Sequence, residues 1–503
     1  MQFRFKLKDF GSNAVSLFSG SAIASLLFVV PGASANDLNP DMLQAVSELY
    51  GITQEQAIDR LARETEAALT LHTLQLQGIE NFAGSWFDAE SGKLVIAVSD
   101  AGARDQIQGA NVEAVLVQRN LKELQLRLDD AVSTLRASRQ DSAVVSQHVD
   151  VQSNEVVLTV VETSLAAVSS TLGNELLTDG VRIESTATLP ELSTGLVRAA
   201  TGTRNLTWAG QYGGEWPCSV GASVEDGFIT AGHCGSAQGT TPNQIGDSSG
   251  APLGHFEESA WFAGNPSIDS AYVQTGAGWT PSGTVQGYSD GIFPVASDWG
   301  GIVQFGIGTT VCRYGQTSGG PHCGTIDAMD VDIVPTNGGG QTIVGTTRVN
   351  GGCSDDGDSG GPWVASTGFI QGTNVGEARH TSDTGSCPTQ AVWTYFQPIT
   401  DALVEFDDHD LVVLTGHGAN APSLENVECP VAGLGGPGLF SCNTGVVDSQ
   451  GKPSVQWSGS SGIKPGPVLT ETCTVGQTVY VTAQATNTYG TTTKYYSFPC
   501  PSF

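Results

Sequence analysis

A chain of 503 residues is too long for one ordinary hydrophobic core, so two to four domains are expected. The net charge of −30 and the pI near 4.3 exclude the basic stripe that binding to a phosphate backbone requires, and with it nucleic acid as a partner. Lysine and arginine together number 21 against 64 glycines, a balance that suits a secreted, β-rich protein better than a helical cytosolic one.

At the N-terminus, Arg4, Lys6 and Lys8 form a basic start, Ala14–Val30 is mostly apolar, and Ala33-Ser34-Ala35 is a small-x-small cleavage site. Residues 1–35 therefore read as a secretory signal peptide. No later stretch approaches the roughly 18 consecutive apolar residues of a membrane span, so the mature protein is expected to be extracellular, with no membrane attachment after signal cleavage. All ten cysteines lie after residue 217. Oxidation can thus stabilise only the later part of the chain, as if the first part were temporary.

Residues 36–201 have a composition of their own. Asp41–Gln77 places Leu43, Val46, Leu49, Ala57, Leu61, Ala68 and Leu71 at helical spacing, which predicts amphipathic helices. Trp86-Phe87 and Lys93–Val98 predict a hairpin closed by Glu90-Ser91-Gly92, and Val156–Val161 predicts a strand after a helix near 117–136. This region is α+β, and a propeptide fits it better than a targeting or regulatory domain.

From about 202 the pattern changes to short β runs broken by Gly, Asn and Ser. Thr230-Ala231-Gly232-His233-Cys234-Gly235 presents a histidine, and Asp269, just before the strand-like Ala271-Tyr272-Val273, is a carboxylate suited to fixing its tautomer. Asp247 and Asp290 are rivals by residue type, both in Gly/Ser-rich stretches that read as exposed turns. Gly357-Asp358-Ser359-Gly360-Gly361-Pro362 surrounds a serine with glycines whose backbone freedom lets the N–H groups of Gly357 and Ser359 converge on one oxyanion. The same residues fit the nucleophile elbow of α/β-hydrolases, but that motif needs a helix after the serine, which Gly360-Gly361-Pro362 opposes. Asp355-Asp356-Gly357-Asp358 lacks the spacing and terminal glutamate of a calcium loop, and His255, His322, His380, His409 and His417 are scattered. No metal and no cofactor are expected.

TAGHCG, IDSAYV and GDSGGP, in that order, resemble a chymotrypsin-fold serine protease. Val311–Ile326 and Phe396–Gly416, the latter a C-terminal helix and last strand, are similar to the α-lytic protease and streptogrisin branch, and the resemblance covers about 202–416. Ala83–Asp100 and Val145–Val161 resemble segments of that family's long propeptide, an intramolecular folding partner and inhibitor that is later removed. The resemblance implies a mainly β chain: an α+β propeptide, a double six-stranded antiparallel barrel at 202–416, and protein or peptide substrates cleaved through an acyl-enzyme. Ser359 would be the nucleophile, His233 the base, Asp269 its orienting partner, and Gly357 and Ser359 the oxyanion hole.

Arg313, right after the third cysteine, would pair with Asp358 and hold the oxyanion loop. The family's sequential pairing gives Cys218–Cys234, Cys312–Cys323 and Cys353–Cys387, of which the first and third would fasten the loops carrying His233 and Ser359, each stabilising by about 2–4 kcal/mol. Val331–Val349, with its Gly338-Gly339-Gly340 tip, lies where that family's propeptide packs, and self-cleavage is expected near 198–204. Two departures stand out. Val375 replaces a serine that touches the buried aspartate, and Glu377 replaces a glycine of the specificity pocket. Ser354, Asp355, Asn374 and Glu377 are the pocket candidates, and the side chain preferred before the scissile bond stays open between basic and large apolar.

Residues 417–503 read as a separate immunoglobulin-like sandwich, with Trp457 following Cys442 and runs such as Val479–Ala483 and Tyr495–Phe498. Of three connectivities for its four cysteines, Cys429–Cys500 with Cys442–Cys473 is the one adopted. Tyr480, Tyr489 and Tyr495 are candidates for binding an extracellular polymer. The protein is expected to be a monomer. The alternative function is a protease-like binding protein whose barrel is inert and whose C-terminal module binds glycan, cell wall or protein.

Overall fold

The computed structural model describes residues 39–192 and, with interruptions, much of 205–500; residues 1–38 and 193–204, which hold the expected signal peptide and propeptide cut, lie outside the described residues, as do Asp247 and Asp290. The chain is mainly β, with its long helices gathered before residue 180.

The first helix, Pro40–Tyr50, starts at Asn39, whose side chain accepts from Met42 N, and ends at Gly51 in the left-handed region. The second, Gln54–Gln77, opens on a reciprocal capping box between Thr53 and Gln56. The predicted hairpin forms from Phe82–Asp88 and Lys93–Val98, and the predicted helix runs over Leu121–Ala137. Strands Val144–Asp150, Glu155–Val161 and Val181–Thr186 make the remaining sheet of this region.

Two further sheets frame the candidate motifs. Ser223–Val224, Gly227–Thr230, Ala271–Thr275, Pro252–Ser259 and Gln244–Gly246 form a five-stranded sheet in that spatial order. In the second, Thr310–Gly315, Pro362–Ala365, Phe369–Arg379, Trp393–Pro398, Ile343–Gly351 and Gly319–Ile333 pair in sequence, and the last returns to pair with the first. Six strands thus close on themselves around Val311, Ile326, Val349, Trp363 and Phe396. The helix expected near the end of this region spans Ile399–Glu405; the expected last strand is reduced to an isolated bridge, Val224 to Val413.

Among the contacts that the 36–201 region makes with these sheets, two are strand pairs and a third is built on a buried carboxylate. Val144–Asp150 pairs antiparallel with Gly319–Ile333, Gln147 facing Asp332, so the sheet continues from one region into the other. This is the hairpin expected to receive it. Leu189–Leu192 pairs antiparallel with Phe369–Arg379. The third contact is polar: Glu64, fully buried, accepts from Thr310 N and Thr310 Oγ1, both at 2.9 Å, and pairs with Arg60 Nε at 2.7 Å. Tyr50, its ring under the Arg60 guanidinium, bonds Thr310 Oγ1 at 3.0 Å and Thr325 Oγ1 at 2.7 Å.

The C-terminal region has two antiparallel sheets of three and four strands, with Trp457, Phe440, Leu469 and Val481 buried among them. Tyr480 is 74% exposed, whereas Tyr489 lies outside the described residues. The bridges here differ from the expected Cys429–Cys500 and Cys442–Cys473: they are Cys429–Cys442 and Cys473–Cys500. The reason is register. Glu428 faces Asn443 in an antiparallel pair, which brings the next residue, Cys429, opposite Cys442, with Cα atoms 4.5 Å apart.

Burial pushes the Glu64 carboxyl up from 4.5 to about 7, against the pull of Arg60 and the Thr310 donors. A raised carboxyl pKa stabilises the folded form fully below the unfolded value and loses that contribution as pH rises through the folded one. Full-length chain carrying Ser359→Ala, compared in urea with the same chain carrying Glu64→Gln, should therefore lose extra stability between about pH 4.5 and 7. A difference between the two chains that stays flat across that window would contradict this role for Glu64.

Candidate functional site

Register brings His233 and Asp269 together. Gly227–Thr230 and Ala271–Thr275 pair antiparallel with Thr230 facing Ala271, so the residues just after the first strand and just before the second share one end of the sheet. His233 lies in the short 3-10 turn Gly232–Cys234, and Cys218–Cys234 bridges the turn to Cys218–Ser219, a two-residue strand outside the five-stranded sheet. Asp269 is fully buried; its Oδ1 accepts from His233 N at 2.8 Å and its Oδ2 lies 2.7 Å from His233 Nδ1. A carboxylate at Nδ1 keeps the proton there and leaves Nε2 as an acceptor. Ser359 Oγ is 2.7 Å from that Nε2.

Ser359 belongs to the other sheet, just before Pro362–Ala365, and the seam between the sheets is unusually close. Ser219 N donates to Ser359 O at 2.7 Å, and Ser219 Oγ donates to Gly357 O at 3.0 Å. A Cβ at Gly360, whose φ is +79°, would lie 1.9 Å from Thr230 Oγ1, so the approach requires glycine. On the far side, Gly360 N donates to Asn374 O and Asn374 N to Gly361 O, both at 2.8 Å, which ties the serine turn to Phe369–Arg379.

The carbonyls around the serine are turned inward. Asp356 O accepts from Thr317 Oγ1 at 2.8 Å, and Asp358 O accepts from Gly361 N at 2.9 Å. In a trans peptide the N–H points opposite to the C=O, so the N–H groups of Gly357 and Ser359 face away from these partners.

Asp358 and Arg313 are both fully buried and form an ion pair at 3.2 Å, with an angle outside hydrogen-bond geometry. Asp358 is instead hydrogen-bonded by Thr317 N, Ser318 N, Ser318 Oγ and Asp355 N, and Arg313 Nε donates to Cys353 O. The Cys312–Cys323 and Cys353–Cys387 bridges form as expected and bracket this cluster.

Among the pocket candidates, three converge. Glu377 Oε2 accepts from Ser354 N at 2.9 Å, and Asn374 Nδ2 donates to Ser354 Oγ at 2.8 Å. Asp355 is directed elsewhere, its Oδ2 accepting from Cys387 N. Val375 is fully buried in an apolar cluster with Ala378 and Tyr395 and supplies no hydrogen bond to Asp269. Gln397 touches that residue instead, its Oε1 accepting from Asp269 N at 3.1 Å. Ser219 carries no local motif and Gln397, inside the family-like Phe396–Gly416, is assigned no role by the sequence; only the contacts between distant segments reveal them.

Two His-Cys groupings, Cys218/His233/Cys234 and His322/Cys353/Cys387, have ligand-like spacing, but their sulfurs are in disulfides and offer no thiolate. Glu258, Asp408 and His409 bring three donor atoms within 4.8 Å of one another on a different part of the surface.

Comparison with known proteins adds independent findings. The family model described as alpha-lytic protease pro N-terminal matches residues 55–117. Streptogrisin-C of Streptomyces griseus is 32% identical over 401 residues, covering 78% of this chain and 79% of that protein. Serine protease 1 of Rarobacter faecitabidus is 26% identical over 395 residues, covering 77% and 66%. The solved structure of Thermobifida fusca Protease A matches at 31% identity over 42% of this chain and 100% of that one, with a TM-score of 0.34.

The buried Asp358 depends on Arg313 for its countercharge. Arg313→Met should cost about 3–5 kcal/mol of stability in urea denaturation, because it leaves a buried carboxylate without that partner. A loss under 1 kcal/mol would mean that the surrounding N–H and hydroxyl donors suffice.

Proposed function

Because the chain belongs to the alpha-lytic protease and streptogrisin branch of the serine endopeptidases, we propose that it is a secreted enzyme made as a self-processing precursor. The observation that carries this reading is the pair of 2.7 Å contacts linking Asp269, His233 and Ser359. Ser359 Oγ attacks the scissile carbonyl while His233 Nε2 takes its proton. Asp269 holds the Nδ1 tautomer and stabilises the imidazolium that results. The N–H groups of Gly357 and Ser359 receive the oxyanion, each worth about 2.7–4 kcal/mol in comparable sites. His233 then returns the proton to the leaving amine, and water hydrolyses the acyl-enzyme by the same route.

In this reading residues 36–201 are the propeptide, both folding partner and inhibitor, and 202–416 are the catalytic domain. The closed ring of six strands and the five-stranded sheet beside it support its two-barrel architecture. Residues 417–503 form the appended immunoglobulin-like sandwich. The placement of Leu189–Leu192 on the strand that leads to Ser359 supports the inhibitory role. The inert, module-dependent alternative is disfavoured because Asp269, His233 and Ser359 are linked without a gap and the Asp269 carboxylate also accepts from His233 N, although the family serine is missing.

Intact mass of the secreted protein tests this directly. Wild type should lose everything before about residue 202, and Ser359→Ala should lose only the signal peptide. Equal processing of both chains would exclude self-cleavage by this site. In the processed enzyme, Asp269→Asn should lower kcat by about 10⁴, the value known for this type of triad.

A further inference from the structure

Granting the peptidase reading above, we infer that the tip of the Gly319–Gly351 hairpin is part of the substrate cleft. In this inference Asn337 grips the main chain of the substrate residue that faces Gly376. The strand Leu189–Leu192 lies antiparallel on Phe369–Arg379, with Leu189 facing Arg379 and Leu192 facing Gly376. Its chain direction therefore leads toward Asn374, whose backbone is bonded to Gly360 and Gly361 just after Ser359. A peptide held in this register is delivered to the nucleophile from its acyl side.

One edge of such a strand is satisfied by Phe369–Arg379, and the other edge would normally face water. Here it does not. Asn337 Oδ1 accepts from Leu192 N at 2.7 Å and Asn337 Nδ2 donates to Leu192 O at 2.9 Å, while Thr336 N donates to Pro190 O at 2.9 Å. The N–H and C=O of one strand residue point to the same side, so a single carboxamide supplies the acceptor and donor that a neighbouring strand would offer. All three bonds go to main-chain atoms. Any extended peptide in this register can make them, whatever its sequence, as in other cases of recognition by strand addition.

The clamp is braced rather than loose. Gln341 Nε2 donates to Gly264 O at 2.7 Å, Thr342 N to Asn265 Oδ1 at 2.8 Å, and Val344 N to Ser267 O at 3.1 Å. These bonds fasten the tip to the segment that runs into Asp269, so clamp and relay share a support. Asn337 itself is exposed, and its substitution removes no core contact. The side chain at the gripped position is selected as well. Leu192 is 4% exposed and belongs to the apolar cluster of Val331, Ile343, Val375, Ala378 and Tyr395. The substrate is thus an extended peptide with a leucine-sized apolar residue and its own N–H opposite Gly376. Val375, which departs from the family serine, contributes to the apolar surroundings of that residue.

The test uses processed wild type and Asn337→Ala. Substrates are acetyl-Pro-Glu-Leu-X aminocoumarin amides with X varied, their depsipeptide analogues in which an ester oxygen replaces the leucine N–H, and single-residue X amides. The clamp predicts that Asn337→Ala lowers kcat/KM about tenfold on the extended amides, the loss expected for two hydrogen bonds. Single-residue amides and the rate of fluorophosphonate labelling should be unchanged. In wild type the depsipeptide should lose several-fold, and Asn337→Ala should lose less on the depsipeptide than on the amide. Equal losses on short and extended substrates, no loss on either, or a depsipeptide cleaved as well as the amide would overturn the clamp. Wild type that is neither labelled nor active on any substrate would instead refute the peptidase reading on which the clamp rests.

Discussion

Everything at the candidate site depends on how closely two separately built sheets approach at Gly360. His233 and Asp269 are positioned by one sheet, Ser359 by the other, and a proton can pass only if the two are held at hydrogen-bond distance. Thr230 of the first sheet leaves no room for a Cβ at Gly360 and donates to Ser219 O, Ser219 N in turn donates to Ser359 O, and Asn374 ties Gly360 and Gly361 to the second sheet. Backbone contacts of this kind cannot swing between rotamers, so the 2.7 Å spacing is a property of the scaffold rather than of three mobile side chains. The turn that carries Ser359 is held in the same internal way, by the buried Arg313–Asp358 pair and the four donors on the Asp358 carboxylate.

The N-terminal region uses the same strands that build the site. It continues the sheet at Gly319–Ile333, plugs Glu64 and Tyr50 onto Thr310, and lays Leu189–Leu192 along Phe369–Arg379, the strand bonded to the turn that carries Ser359. A single segment therefore contacts, at several points, β structure whose strands pair residues far apart in sequence. Long-range pairing of this kind is slow to form unaided, because loop closure must precede the contacts that offset it.

That Asp269, His233 and Ser359 come together was legible because each sits in a short motif whose residue types suggest a shared chemistry, and because Asp269 precedes a strand while its rivals lie in Gly/Ser-rich sequence. The helices, the Glu90–Gly92 hairpin and the three bridges between Cys218 and Cys387 were legible for similar local or family reasons. What escaped depends on register between distant segments. Cys429 and Cys442 are neighbours only because Glu428 faces Asn443, and nothing in their spacing selects that partner. Gln397 beside Asp269, Glu64 on Thr310 and Asn337 on Leu192 join residues 128, 246 and 145 positions apart. The pocket candidates divide on the same ground: Glu377 reaches Ser354 across the strand, whereas Asp355 is claimed by Cys387.

The central claim is that Ser359 is a nucleophile made reactive by His233. Incubating the secreted wild type with a fluorophosphonate and mapping the adduct by peptide mass spectrometry tests it with no assumption about substrate. One adduct, on Ser359, that disappears in His233→Ala is the predicted result. A wild-type protein that remains unlabelled, or that is labelled at another serine independently of His233, would contradict it.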